Sequence, residues 1–259
     1  MTQQTYAISE YPDIDSVYRK LDALVSQPMR PVRRDRMQQV LSYFECQCAR
    51  SKALTDEAKK LIPGGVQHNL AFNYPFPIAI EKAEGAHLWD VDGNRYIDFL
   101  QAGGPTVLGS NYPPVRDAVI EMLQSCGPVT GLFHEYELKL AEAVHRFMPA
   151  VEMFRMLGSG TEGVMAAIRA ARAYTKKTKV IKVGGAYHGW SDSMVFGLHI
   201  PGTGRLESKG IPRGATGNTQ EFFPNALAAL RRQLILNRVL GGTAAVIVEP
   251  LGPESGTRP

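Results

Sequence analysis

Two short segments carry the residue types that chemistry would need. The first, Gly158-Ser159-Gly160-Thr161-Glu162-Gly163, sets small residues before a hydroxyl and a carboxylate. The second, Tyr187-His188-Gly189-Trp190, gathers aromatic rings around an imidazole and a glycine. Glycines let backbone amides approach an anion. Where such amides open a helix, the helix dipole adds partial positive charge, so the first segment reads as a phosphate cradle with Gly160 and Thr161 as donors. An aromatic at the carboxyl end of a strand can stack on a flat ligand, so the second reads as a platform.

Blander readings stand beside these. Gly158 to Gly163 matches the dinucleotide pattern G-x-G-x-x-G, but that site wants an acid at the end of the next strand, and Lys179-Val180-Ile181-Lys182-Val183 runs into Gly184-Gly185. Ser159-Gly160-Thr161-Glu162 is also a capping box, in which Ser159 accepts from the Glu162 amide and the Glu162 carboxylate returns to the Ser159 amide. Taken alone, Tyr187 is a packing residue and His188 a satisfied hydrogen-bonding one. A third segment, Ala245 to Glu254, delivers two carboxylates past the end of a buried strand: Glu249 suits local backbone amides, while Glu254 has freer access to a ligand.

The elements that must position these residues follow from periodicity. Val17, Leu21 and Leu24, then Met37, Val40, Leu41 and Phe44, mark helices on either side of Pro28 and Pro31, an amino-terminal helical arm over 1–60. After Pro63-Gly64-Gly65 the pattern turns to short extended runs, 78–82, 86–91 and 95–100, the last two flanking the hairpin signal Asp92-Gly93-Asn94. That predicts a small antiparallel segment over 61–110. Helices are expected at 113–124 and 135–148. A strand at 153–157, a helix at 160–174 and a strand at 179–183 then form a parallel crossover, followed by a loop at 202–217, a helix at 224–240 and a buried strand at 243–248. Residues 111–259 are thus an α/β domain.

Composition excludes little. The 259 residues carry a net charge of +4, without the basic, aromatic-interleaved stripe of a nucleic-acid binder, so no nucleic acid is expected. No run approaches the roughly 18 apolar residues of a membrane span, and the polar amino terminus points to a cytoplasmic protein. The cysteines Cys46, Cys48 and Cys126 lack metal-ligand spacing and read as free thiols, so no metal is expected.

Leu61-Ile62-Pro63-Gly64-Gly65, Trp89-Asp90-Val91-Asp92-Gly93-Asn94-Arg95-Tyr96-Ile97-Asp98, Gly104-Pro105, Leu108-Gly109, Ser159-Gly160-Thr161-Glu162, Tyr187-His188-Gly189 and Glu249-Pro250 follow one another in the order seen in the class III pyridoxal-phosphate-dependent aminotransferases, which the chain resembles from about Leu54 onward. The wording is closest to their glutamate-1-semialdehyde 2,1-aminomutase branch. The resemblance implies the aspartate-aminotransferase-like fold type I, with residues 111–259 an incomplete large domain that binds pyridoxal 5'-phosphate. It implies that Gly160 and Thr161, capped by Ser159, hold the cofactor phosphate, that Tyr187 stacks on the pyridine ring, and that His188 lies beside it. It further implies a homodimer acting on a small-molecule amino donor and acceptor.

In that family an aspartate on the ring nitrogen and a Schiff-base lysine lie downstream of the Glu-Pro pair. The chain is therefore expected to be the amino-terminal part of such an enzyme, with no catalytic residue of its own and inactive alone. The alternative is a non-catalytic, phosphate-binding scaffold or the partner of a separate carboxyl-terminal half. Two departures from the aminomutase branch favour ordinary transamination over isomerisation. Ala102-Gly103 replace a Ser-Trp pair, and Glu254 stands where the branch has asparagine and ω-amino-acid transaminases place a substrate-side glutamate.

Overall fold

The computed structural model describes residues 13–28, 31–128, 131–195, 197 and 210–249. The chain divides into two compact units, one formed by Asp15–Glu137 and the other by Met1–Ile14 with Leu138–Pro259.

The helical start contains α1 (Ile14–Val25), α2 (Arg34–Gln47) and α3 (Ala49–Ala58). The apolar stripes expected from the sequence are helical, yet Leu21, Leu24, Met37 and Val40 remain exposed. The antiparallel sheet follows, with β1 (Ile80–Glu84), β2 (His87–Asp90) and β3 (Arg95–Ile97) in that order across the sheet. Leu88 pairs with Tyr96 across the hairpin that Asp92-Gly93-Asn94 closes.

That hairpin is tied to the helices by two carboxylates. Asp90, fully buried, accepts from the Asp92 amide at 3.0 Å, the Asn94 amide at 2.8 Å, Asn94 Nδ2 at 2.9 Å and the Tyr96 hydroxyl at 2.6 Å. Burial pushes the Asp90 carboxyl up, but these hydrogen bonds outweigh it and hold it below the usual range. Burial, followed by the Asp90 bond, drives the Tyr96 hydroxyl well above its ordinary value. Asp92 faces the other way. Its carboxylate accepts from the Arg50 amide at 2.7 Å, the Ser51 amide at 2.9 Å and the Ser51 hydroxyl at 2.8 Å, and so caps the first turn of α3 from a distant part of the chain. The Arg50 guanidinium also donates to the Val91 carbonyl.

α4 (Pro113–Ser125) and α5 (Glu135–Phe147) come next, then α6 (Gly160–Thr175) and β4 (Lys179–Val183). The short α7 (Arg213–Thr216), β5 (Thr219–Phe222), α8 (Leu227–Asn237) and β6 (Thr243–Ile247) complete the described chain. The second sheet is parallel, ordered β5-β4-β6. Val180 and Ile181 of the central strand are fully buried, as a strand covered on both faces must be. Ile168 of α6 and Met194 close over Val180, with Val164 and Ile247 at the margin.

Among the departures from expectation, two concern where strands lie. The run Met153 to Leu157 is not a strand: its Met153, Met156 and Leu157 side chains are exposed, and among the described residues no strand lies in register beside it. An apolar run becomes a strand only when a neighbouring backbone takes its amides and carbonyls. Conversely, β5 was not expected, because Gln220 and Glu221 at its centre hide it. Gln220 is used structurally: its side-chain amide exchanges hydrogen bonds at 2.6 and 3.1 Å with Asn237, which is fully buried and also donates to the Thr243 hydroxyl at 2.8 Å. β5, α8 and β6 are locked together through that one amide. Among the described residues no helix is long and apolar enough to cross a membrane.

Candidate functional site

Helix α6 begins where the cradle was expected. Ser159 is extended at φ −157° and ψ 164°, and its hydroxyl accepts from the Glu162 amide at 3.2 Å. The reciprocal half of the capping box differs from expectation, since the Glu162 carboxylate takes the Ser159 hydroxyl at 3.3 Å rather than the Ser159 amide. Gly160 and Thr161 are the first two residues of the helix, so their amides have no acceptor within it. Among the described residues, none comes within 4 Å of the place a Cβ on Gly160 would occupy.

Strand β4 carries the second segment to the same place. Beyond Val183 the chain turns, with the Gly184 amide on the Phe222 carbonyl at 2.8 Å and the Gly185 amide on the Gly197 carbonyl at 2.8 Å. The loop then crosses the start of α6, where the Trp190 amide donates to Thr161 Oγ1 at 3.1 Å. Gly189, at φ +95°, lies against Thr161 so closely that a Cβ would fall 2.8 Å from the Thr161 Cα. Only glycine combines that dihedral with that approach. Because Thr161 Oγ1 accepts from Trp190, its own proton stays free to be donated to a ligand.

His188 is 8% exposed, and its Nε2 has no hydrogen-bond partner among the described residues. Burial, with the Lys182 charge adding to it, pulls its pKa down to about 4, so the ring is neutral at pH 7. Tyr187 and Trp190, on either side of His188 in the sequence, are 45% and 79% exposed. The sequence places Lys182 within a strand, unsuited to covalent attachment, and does not announce its burial. It is fully buried, and Nζ donates to the Met194 carbonyl at 2.9 Å. Its place in the apolar run Val180-Ile181-Lys182-Val183 is the signal that could have found it.

Ser159, Gly160, Thr161, Tyr187 and His188 thus all belong to α6 and the loop after β4, joined at the Thr161–Gly189 contact. Glu249 lies half-buried just past the end of β6. Glu254 falls outside the described residues. Chemically, the arrangement offers two helix-opening amides and one hydroxyl to an anion, with a neutral imidazole and exposed rings nearby. Among the described residues, no group of His, Cys, Asp and Glu is arranged to hold a metal ion.

The profile of the Aminotransferase class-III family matches residues 70–259. A glutamate-1-semialdehyde 2,1-aminomutase from Lachnoclostridium phytofermentans is 42% identical over 212 residues, which cover 80% of this chain and 49% of that protein. Among solved structures, one described as a transaminase with PLP bound superposes with a TM-score of 0.72 at 32% identity, covering 82% of this chain and 50% of the other. An omega-transaminase from Sphaerobacter thermophilus gives a TM-score of 0.72 at 28% identity, covering 81% and 49%. The chain spans about half the length of the curated relatives it matches.

Proposed function

The chain belongs to the class III aminotransferases and has their fold type I architecture, and from that premise we propose that it is the cofactor-anchoring portion of a pyridoxal-phosphate-dependent aminotransferase. The observation that carries this reading is the joint at Thr161, where the loop after β4 seals the start of α6 beside two open amides. A phosphate monoester fits that place. Gly160 and Thr161 donate backbone amides, the Thr161 hydroxyl donates its remaining proton, and the helix dipole favours the charge. Ser159 serves the cradle by capping the helix, with its hydroxyl already taken by Glu162.

Tyr187, exposed at the rim, is the residue for stacking on the flat ring. His188 stands beside it as a neutral, buried group whose unsatisfied nitrogen calls for a partner that the bound ligand can supply. When bound, pyridoxal phosphate supplies an electron-withdrawing ring that allows an amino group to move between carbon centres. This chain's residues bind and orient it.

None of the lysines flanking α6 and β4 is suited to covalent attachment. Lys182 is buried on the Met194 carbonyl, Lys179 Nζ donates to the Gly217 carbonyl at 3.1 Å, and Lys176 and Lys177 follow the far end of α6. We assign that lysine to a part of the enzyme outside the described residues. The arm over 1–60, the antiparallel segment over 61–110 and the cofactor-binding part over 111–259 serve as functional divisions on this reading. Exposed apolar side chains within both units, among them Phe99, Phe133 and Met153, support assembly as a homodimer.

For the reaction, Glu254 and the small pair Ala102-Gly103 support transamination between a small-molecule amino donor and a keto acid or aldehyde. The 42% identity to an aminomutase supports isomerisation of glutamate semialdehyde as the second reading. The test is a titration of the chain with pyridoxal phosphate, followed by absorbance, beside the variants Thr161→Val and Thr161→Ser. Saturable binding that weakens about tenfold in the valine variant and is kept by serine supports the cradle. Equal binding by all three overturns it.

A further inference from the structure

The end of the parallel sheet opposite the cradle carries a second concavity, of about 660 Å³, lined by Lys177, Arg231, Leu234, Ile235, Arg238, Gly242 and Thr243. Its charge is of one sign: among the described residues three cations line it and no carboxylate does. Lys177 follows α6, Arg231 lies within α8, and Arg238 ends α8. Among the described residues none of the three is in an ion pair or donates a side-chain hydrogen bond. The volume falls in the range of small-molecule sites.

Lys177 packs through its alkyl stem. Its stem lies over Gly242, where a Cβ would come 2.6 Å from Lys177 Cγ and 2.7 Å from Cδ, and Gly242 is at φ +72°. The glycine thus leaves room for the Lys177 alkyl chain, and Lys177 lines the same concavity as Arg231 and Arg238. Cations at helix ends are ordinarily explained by the helix dipole, and that account covers Lys177 and Arg238. It does not cover Arg231, in the middle of α8. Like charges brought together repel one another unless an anion lies between them.

We propose that Lys177, Arg231 and Arg238 form a binding site for a small oligophosphate anion, separate from the cofactor cradle. The two lie at opposite ends of β4, whose five residues span about 16 Å. Two guanidinium groups suit phosphate, whose oxygens they can engage in pairs, and a third cation matches a di- or trivalent ligand. Leu234 and Ile235 give the concavity an apolar wall for the body of such a molecule.

The probe is inorganic pyrophosphate, titrated calorimetrically into the full chain in magnesium-free buffer at constant ionic strength, with saturating pyridoxal phosphate present. The variants are Arg231→Gln, Arg238→Gln and Lys177→Gln, with Thr161→Val as the cradle control and citrate as the anion control. The expected result is one saturable site, weakened about tenfold or more by each of the first three substitutions and unchanged by Thr161→Val. Lys177 and the arginines stand on different elements, so a folding defect in one variant leaves the others informative. Three results overturn the proposal: no saturable heat, binding that follows Thr161→Val instead, or glutamine variants that lower the melting temperature while binding stays intact. Citrate binding as tightly as pyrophosphate overturns the assignment to phosphate.

Discussion

A Cβ placed on Gly189 would lie 2.8 Å from the Cα of Thr161, so the loop after β4 and the first turn of α6 meet backbone to backbone. Gly189→Ala is therefore expected to force the two apart and to strain a residue at φ +95°, costing roughly 2 kcal/mol or more of stability. Pyridoxal phosphate affinity should fall at least about tenfold, because the donors on Thr161 move with the loop. Urea melts and cofactor titration of the variant measure both; an unchanged affinity would show that the contact does not shape the cradle.

His188 gives a pH dependence with a defined sign. Its ring titrates at about 4 in the folded chain against 6.5 when unperturbed. Between those values unfolding takes up a proton, so stability declines as pH falls from about 6.5 toward 4, by roughly 3 kcal/mol at the lower end. Above 6.5 both states are neutral and the term vanishes. Urea unfolding at pH 7 and pH 5, with His188→Gln alongside, should show a shallower loss in the variant. Parallel losses in the two proteins would contradict this.

Asp90→Ala should be the most damaging change in the antiparallel unit. It strips acceptors from the Asp92 and Asn94 amides, the Asn94 side chain and the Tyr96 hydroxyl in a fully buried place. The expected loss is roughly 3–4 kcal/mol, read as a shifted denaturation midpoint. Ultraviolet titration of Tyr96 adds a second readout, since its hydroxyl should ionise at lower pH once the carboxylate is gone.

Asn237→Leu tests the lock between β5, α8 and β6. The leucine leaves the Gln220 amide and the Thr243 hydroxyl without the partners they have at 2.6 to 3.1 Å, at a cost of roughly 2–3 kcal/mol. Hydrogen exchange should quicken in β5 and β6 while the β1–β3 hairpin keeps its protection. Equal quickening in both sheets would mean that the amide pair does not act locally.

What could be read in advance was what is decided locally. Asp92-Gly93-Asn94 declared its hairpin because turn residues act on their own backbone, and Ser159 declared its cap for the same reason. Lys179 to Val183 was legible as a strand after the helix that Ser159 opens. What depends on a partner elsewhere was not legible. Met153 to Leu157 has the composition of a strand without a neighbour, and β5 has a neighbour without the composition. The capture of Trp190 by Thr161 spans 29 residues and rests on a backbone amide, which no side-chain pattern announces.

Asp92 has a further consequence, in time rather than in space. The first turn of α3 is capped by a carboxylate 41 residues farther along the chain. A ribosome working from the amino terminus releases that helix well before the residue that completes it. Closing a ring of that size costs roughly 3 kcal/mol of chain entropy, which the hairpin must offset before the cap can form. The start of α3 is thus an early-made, late-settled piece of the molecule, and its order during synthesis waits on the emergence of β2 and β3.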